Sequence, residues 1–298
     1  MKIAVAGASG FVGSRVLREL SRCGFEVVGL LRSQSGIHNV VTAGASAALV
    51  DYSSQETLER ALAGCDALFH LVGTSSQTLE SPFSSSMIQP TRALVAAAEK
   101  AGVKMLAYNS GLGTNKGSTQ SYFLAKAECE RIIQGFMGKN LIFRPSYIIG
   151  KGDEFSGLIL ERLTRGEEIP VYGSGGYRIQ PISVDDVASI YAKSLSLNSV
   201  WNRTFDLVGP EVVTFSEFLK TYAEVAGKPL KLKPVNLEFA LQDSMRPVNE
   251  RRYGTELSTD ELDVLVSDFI SNPSELVAAF GVRLTPFRDV LKMILRNN

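Results

Sequence analysis

The first thirteen residues decide most of what this chain can become. Lys2-Ile3-Ala4-Val5-Ala6 is an apolar run, and Gly7, Gly10 and Gly13 follow it at intervals of three. The pattern reads as a strand, a tight turn and the first turn of a helix. Val12, Val16, Leu17 and Leu20 then recur at helical spacing and give the next segment one apolar face. Bare backbone N–H groups at a helix N-terminus bind anions, and side chains must be absent where a chain passes under a pyrophosphate. Gly7, Ser9, Gly10, Phe11, Val12 and Gly13 are the candidate cradle. A glycine-rich hairpin or ordinary helix packing is the plainer alternative, but the strand before and the helix after supply the context the motif requires.

Further apolar runs at 25–31, 47–50, 67–73 and 103–108 alternate with helical patterns at 54–63 and 91–101. Strands and helices alternating at this pace predict parallel β-α-β units covered on both faces. The second run ends in Arg32-Ser33, with no acid there. An acid at this place binds the ribose 2′-hydroxyl of the unphosphorylated dinucleotide, whereas an arginine accommodates a 2′-phosphate. Arg32 therefore predicts NADP(H), with NAD(H) as second choice. His70 falls inside the fourth apolar run and reads as a core histidine; residues 74–86, rich in serine and containing Pro82, read as a loop.

The most chemical part follows the fifth run. Ser110 closes it, and Tyr122 and Lys126 stand four residues apart near the start of a helical pattern that continues to 133. An i, i+4 pair shares one helical face. Tyrosine is a poor acid–base group at its reference pKa of about 10, and a neighbouring ammonium is expected to bring it down. A helix that begins with tyrosine and carries a solvated lysine would look the same in isolation.

Together the motifs resemble a known superfamily. Gly7-x-x-Gly10-x-x-Gly13, Asp51 after the third strand, Ser110, Tyr122-x-x-x-Lys126 and Leu141-Ile142-Phe143-Arg144-Pro145-x-x-x-x-Gly150 occur in the order and spacing of the extended and atypical short-chain dehydrogenase/reductases. Within that superfamily the chain resembles the atypical branch that includes the NAD(P)H-binding accessory subunit of respiratory complex I. Residues 171–188, the short spacing from Ser110 to Tyr122 and the tail around Gly281 are similar to that branch. The resemblance implies a Rossmann-type, doubly wound parallel sheet with a smaller C-terminal substrate lobe. It implies that the glycine turn holds the pyrophosphate, Asp51 the adenine, Gly73 the cofactor wall, Lys126 the nicotinamide ribose and the backbone after Pro145 the carboxamide. Ser110, Tyr122 and Lys126 become the catalytic candidates, with Ser110 on the reacting oxygen.

The implied activity is an NADP(H)-dependent oxidoreductase, or an epimerase or dehydratase using the same steps, acting on a carbonyl or alcohol of a small molecule. The alternative is a non-catalytic NADPH-binding protein that works as a sensor or accessory subunit through a protein partner. Two departures matter. Sugar-nucleotide epimerases usually show an asparagine shortly after the arginine–proline pair, where this chain has Ser146-Tyr147, and their serine lies much further ahead of the tyrosine. Many members of the atypical branch lack the tyrosine, which is present here.

The expected organisation is a dinucleotide-binding domain over 1–150 and a substrate-binding lobe over 151–298, with 178–208 rejoining the main sheet. In the second half, a helix is expected over 155–165, a glycine-rich hairpin at 173–176, and helix N-terminal acids at Asp185 and Asp186, for which a catalytic carboxylate pair is the sharper alternative. Thr214 or Ser216 should cap a helix, 237–245 suits another, and 286–296 an amphipathic last one. Arg246, Arg251, Arg252 and Tyr253 read as solvated surface, the alternative being contact with an acidic or phosphorylated substrate.

Composition narrows the partners. Lysine plus arginine equals aspartate plus glutamate at 31 each, so no global field favours nucleic acid or an anionic membrane, and a small molecule is the default partner. No segment reaches the roughly 18 apolar residues of a membrane span, and a strand-like start without a signal core gives the expectation of a cytoplasmic protein. Cys23, Cys65 and Cys129 are scattered, with only His38 and His70 to help them. Metal ligation and disulfides are therefore not expected, and all three read as buried or half-buried free thiols.

Overall fold

The computed structural model describes every residue except 76, 79, 115–116, 247–249, 251–256 and 297–298. In chain order its elements are β1 (Lys2–Ala6), α1 (Phe11–Arg22), β2 (Glu26–Leu31), α2 (Ile37–Thr42), β3 (Ser46–Leu49), α3 (Gln55–Leu62), β4 (Ala67–His70), α4 (Gln89–Lys100), β5 (Met105–Asn109), α5 (Ser121–Gln134) and β6 (Lys139–Pro145). Then come β7 (Ile148–Ile149), α6 (Glu154–Arg165), β8 (Ile169–Tyr172), β9 (Arg178–Ile179), β10 (Ile182–Ser183), α7 (Val184–Ser194) and β11 (Arg203–Leu207). The chain closes with β12 (Val213–Thr214), α8 (Phe215–Ala226), β13 (Leu232–Val235), α9 (Leu237–Ser244), α10 (Thr259–Leu265), α11 (Ser274–Phe280) and α12 (Phe287–Leu295). These elements divide into two compact units, the first being Met1–Pro145, Val184–Leu207 and Asn272–Arg283, the second the remainder.

The first unit is the doubly wound sheet that the strand–helix alternation predicts. Seven strands lie in the order β11-β6-β5-β4-β1-β2-β3, and every pair is parallel. The chain builds outward from β1 in one direction through β2 and β3, then returns to β4 on its other side. That reversal is the point where ligands bind in open α/β sheets, outside the carboxyl ends of the strands. Ile3, Ala4, Val5 and Ala6 are all fully buried, as a central parallel strand covered on both faces requires. Helix α1 packs against α7. Asp185 and Asp186 occupy the first turn of α7, and Asp185 lies 3.5 Å from Arg15.

In the second unit, α8 and α12 share an apolar core in which Phe218 and Phe287 stack with ring centroids 5.0 Å apart. Thr214 caps α8 in a reciprocal capping box with Glu217. The glycine-rich segment 173–176 is not a paired hairpin: β8 pairs with β13 and β9 with β12, so the glycines turn the chain between two separate ribbons. A groove of about 660 Å³ beside α9 is lined by Gly173, Pro234, Val235, Leu237 and Leu241. It shares no residue with the glycine turn or the Tyr122–Lys126 pair.

Cys65 and Cys129 are buried, but Cys23 is exposed, because it stands at the C-cap where α1 ends in solvent. The cluster Arg251, Arg252 and Tyr253 lies outside the described residues. Among the described residues no helix is long and apolar enough to cross a membrane.

Candidate dinucleotide and proton-transfer site

The glycine turn is built by close backbone approach. Gly7 has φ +82°, and a Cβ there would lie 2.8 Å from the Leu71 carbonyl oxygen. A Cβ on Gly13 would fall 2.0 Å from the Gly7 oxygen, so no larger residue fits where α1 crosses β1. Gly10 donates to the Gly7 carbonyl at 3.0 Å and its own carbonyl accepts from Ser14 at 2.9 Å, starting the helix. It is the N-cap and supplies no side-chain cap. The first N–H groups of α1 are therefore left for a ligand at the positive end of the helix dipole. A Cβ on Gly10 would meet only the Gly7 oxygen, at 3.3 Å. The space over the turn is otherwise open, a cradle that a side chain would fill and that suits a pyrophosphate. Ser9 is exposed beside it, with Phe11 and Val12 half-buried.

At the edge of this turn Arg32 follows β2 and is exposed; among the described residues it makes no ion pair. The Ser33 and Ser35 hydroxyls share a hydrogen bond of 2.8 Å next to it. Asp51 is exposed, and its Oδ1 accepts from the Ser53 amide at 2.8 Å and hydroxyl at 2.7 Å. Those bonds hold its carboxyl below the usual carboxylate range. One carboxylate oxygen thus shapes the turn.

Tyr122 and Lys126 sit in the first two turns of α5. Lys126 is 3% exposed, and its ammonium donates to the Asn109 carbonyl at 3.0 Å. The ammonium stands 3.2 Å from where Gly73 would carry a Cβ, so a bare backbone at 73 is what makes room for it. Burial pulls its pKa down to about 8, with Cys129 and Glu130 acting in the opposite sense.

The expectation for Tyr122 is corrected by the structure: its phenol is pushed up to about 12, by burial and then by Cys129. The ammonium lies 5.7 Å from the ring centroid, and burial prevails. Phe83 and Phe123 meet the ring edge-on, at 5.9 and 5.1 Å between centroids. Pro145, at the end of β6, accepts from the Leu112 amide at 2.8 Å and so holds the β5 exit loop to β6.

Ser110 is 1% exposed, and its hydroxyl donates to Glu130 Oε1 at 2.5 Å. Arg144 Nε and Nη2 donate to the two Glu130 oxygens at 2.9 and 2.6 Å. The serine is thus engaged in an ionic network that sequence reasoning missed. Its signal was present: Glu130 lies one further turn along the Lys126 face, and Arg144 belongs to the motif already noted. The neighbouring Gly111, also overlooked, is the residue that turns toward the tyrosine: a Cβ there would meet Tyr122 Cε1 at 3.3 Å and its hydroxyl oxygen at 3.4 Å.

Behind this face His70 is fully buried, as a core histidine should be. Its Nδ1 accepts from the Val72 amide at 3.3 Å, which leaves Nε2–H to donate to Thr91 Oγ1 at 2.8 Å. Burial, aided by the Lys126 charge, holds its pKa down at about 3.

A doubly wound sheet with a bare glycine turn at its switch point defines a dinucleotide-binding protein. A family model described as NAD(P)H-binding matches residues 7–196, and the chain belongs to that NAD(P)H-binding family. Relatives reflect both sides of the resemblance seen in the sequence. The chain is 24% identical over 251 residues to an NAD(P)H azoreductase of Xenophilus azovorans, covering 80% of this chain and 79% of that protein. It is also 24% identical over 299 residues to subunit 9 of the mitochondrial NADH dehydrogenase [ubiquinone] 1 alpha subcomplex of Dictyostelium discoideum, covering 98% and 83%. The fold matches that of a Thermus thermophilus UDP-glucose 4-epimerase solved with NAD, with a TM-score of 0.77 at 22% identity over 99% of this chain and 98% of that one.

Proposed function

We propose that this protein is an NADP(H)-dependent oxidoreductase that moves hydride between the dinucleotide and a carbonyl or alcohol carbon of a small molecule. An epimerase or dehydratase running the same step within one turnover is a variant of this reading. The observation that carries it is Lys126, a residue 3% exposed, one helical turn from Tyr122, whose ammonium stands 3.2 Å from where Gly73 would carry a Cβ. Burying an ammonium with one carbonyl partner costs stability, and a ribose diol would use its remaining donors.

In this reading the backbone of Gly7, Gly10 and Gly13 and the first N–H groups of α1 take the pyrophosphate. Arg32 takes the 2′-phosphate, Asp51 the adenine, and Gly73 and Pro145 line the nicotinamide end. The bound dinucleotide supplies or accepts the hydride. Tyr122 moves the proton at the reacting oxygen; a phenol with pKa near 12 is fully protonated at neutral pH and ready to donate. Ser110, engaged by Glu130, positions the exit of β5.

The second reading is a non-catalytic NADPH-binding accessory protein, favoured by the near full-length match to a complex I subunit. Tyr122→Phe separates the two. Under the enzyme reading NADPH affinity changes little and turnover falls by about 10²–10⁴-fold. If bound NADPH is consumed by no member of a broad carbonyl panel, the accessory reading takes its place.

A further inference from the structure

We propose that the acceptor is conjugated, a quinone or enone whose developing charge spreads through its π system, and not an isolated ketone. The proposal rests on the reading of Tyr122 as the proton-transfer group. It starts from two adjacent residues past the end of β5. The proton of the Ser110 hydroxyl is committed at 2.5 Å to Glu130, a carboxylate itself 4% exposed and fixed by two bonds from Arg144. A hydroxyl has one proton, so Ser110 has none left for a substrate oxygen. Gly111 turns the other way. Its missing Cβ is what would lie 3.4 Å from the Tyr122 hydroxyl, so the position facing the phenol carries no side chain. Among the described residues the Tyr122 hydroxyl has no hydrogen-bond partner, and it meets the acceptor as a lone donor.

Hydride addition to an isolated ketone localises a full negative charge on one oxygen, and losing one oxyanion donor costs about 10²–10³ in rate. Conjugation removes that need. The hydride then lands on the β-carbon of the enone or quinone in place of the carbonyl carbon: the β-carbon gains a C–H bond together with the electron pair of the hydride, and the π pair moves through the chain of double bonds to the remote oxygen. Tyr122 O–H gives its proton to that oxygen, and the phenolate is reprotonated from water. The acceptor gains two electrons and the reduced dinucleotide loses two.

The test follows NADPH consumption, corrected for the enzyme-free rate, with 2-cyclohexen-1-one, 1,4-naphthoquinone and the saturated cyclohexanone. The expected kcat/KM favours both conjugated compounds by at least about a hundredfold. Gly111→Ser, which puts a hydroxyl beside the phenol, should narrow that ratio at least about tenfold, whereas Gly111→Ala, of similar bulk without the donor, should not. A second readout needs no cofactor: in ultraviolet difference titration against Tyr122→Phe, Gly111→Ser should lower the Tyr122 pKa and Gly111→Ala should not. Cyclohexanone used as well as the conjugated pair, with Tyr122→Phe inactive, overturns the acceptor proposal alone. Wild-type rates in Tyr122→Phe, or NADPH bound but never consumed, overturn the proton-transfer reading and the proposal with it.

Discussion

Replacing Lys126 with methionine should make the protein more stable and less able to bind its dinucleotide. The side chain's length and apolar stem are kept, and only the buried charge goes. Its pKa falls from the ordinary 10.5 to about 8, which at about 1.36 kcal/mol per pH unit is a cost of about 3 kcal/mol to the folded state. Losing the bond to the Asn109 carbonyl gives back about 1 kcal/mol, so a net gain of about 2 kcal/mol is expected at pH 7. The sign can be followed with pH. Below pH 8 both the folded and unfolded chains hold the proton and the full cost is present. Between pH 8 and 10.5 the unfolded chain binds more protons, so wild-type stability rises relative to the variant, by about 2 kcal/mol from pH 8 to 9.5. Urea unfolding at pH 7, 8 and 9.5 measures both effects, and NADPH titration at pH 7 should show at least about tenfold weaker binding, worth about 1.4 kcal/mol. A variant less stable than wild type at pH 7, with a gap that does not change up to pH 9.5, would refute the argument.

His70 should set part of the acid limit. Its pKa of about 3 against an ordinary 6.5 means the unfolded chain takes up a proton below pH 6.5 that the fold refuses, so stability is lost as pH falls toward 3. Relative to His70→Gln, wild type should lose about 2 kcal/mol between pH 7 and 5, read by urea unfolding; parallel losses would remove His70 from the account. Arg32→Ala should weaken NADPH by about ten- to a hundredfold, the worth of a charge-assisted contact of about 1.5–3 kcal/mol, and leave NADH unchanged. Calorimetric titration with both dinucleotides checks it, and equal affinities in the wild type would contradict the choice of NADP(H).

The sheet and the glycine turn were legible in the sequence because their physical requirements are local. A parallel strand buried on both faces must be apolar, as Ile3 to Ala6 are, and a backbone that passes 2.0 Å from where Gly13 would carry its Cβ admits glycine only. The Tyr122–Lys126 pair was legible for a similar reason, since a four-residue spacing fixes one helical face. What pairwise spacing does not carry is which way neighbouring side chains turn at a strand end. Ser110 and Gly111 are consecutive, and only the tertiary placement of Glu130 and Arg144 decides that the serine turns inward and the glycine toward the phenol. The direction of the Tyr122 pKa was missed on the same ground, because burial against Phe83 and Phe123, with Cys129 acting in the same sense, is not something that sequence spacing ranks against one charge. The turn at 173–176 looked like a hairpin since glycines mark reversals without naming the partner strand.

A bound pyrophosphate should lie over Gly10, and Gly10→Val measures that most directly. Its backbone, at φ −76° and ψ 170°, is open to any L-residue, and the added Cβ meets only the Gly7 oxygen at 3.3 Å. The fold should therefore survive, with unchanged far-ultraviolet circular dichroism, while the branched side chain fills the cradle. NADPH titrated into wild type and variant should show a loss of at least about a hundredfold, or about 2.7 kcal/mol. Wild-type affinity in a folded Gly10→Val protein would contradict the account, because the dinucleotide would then have to bind elsewhere.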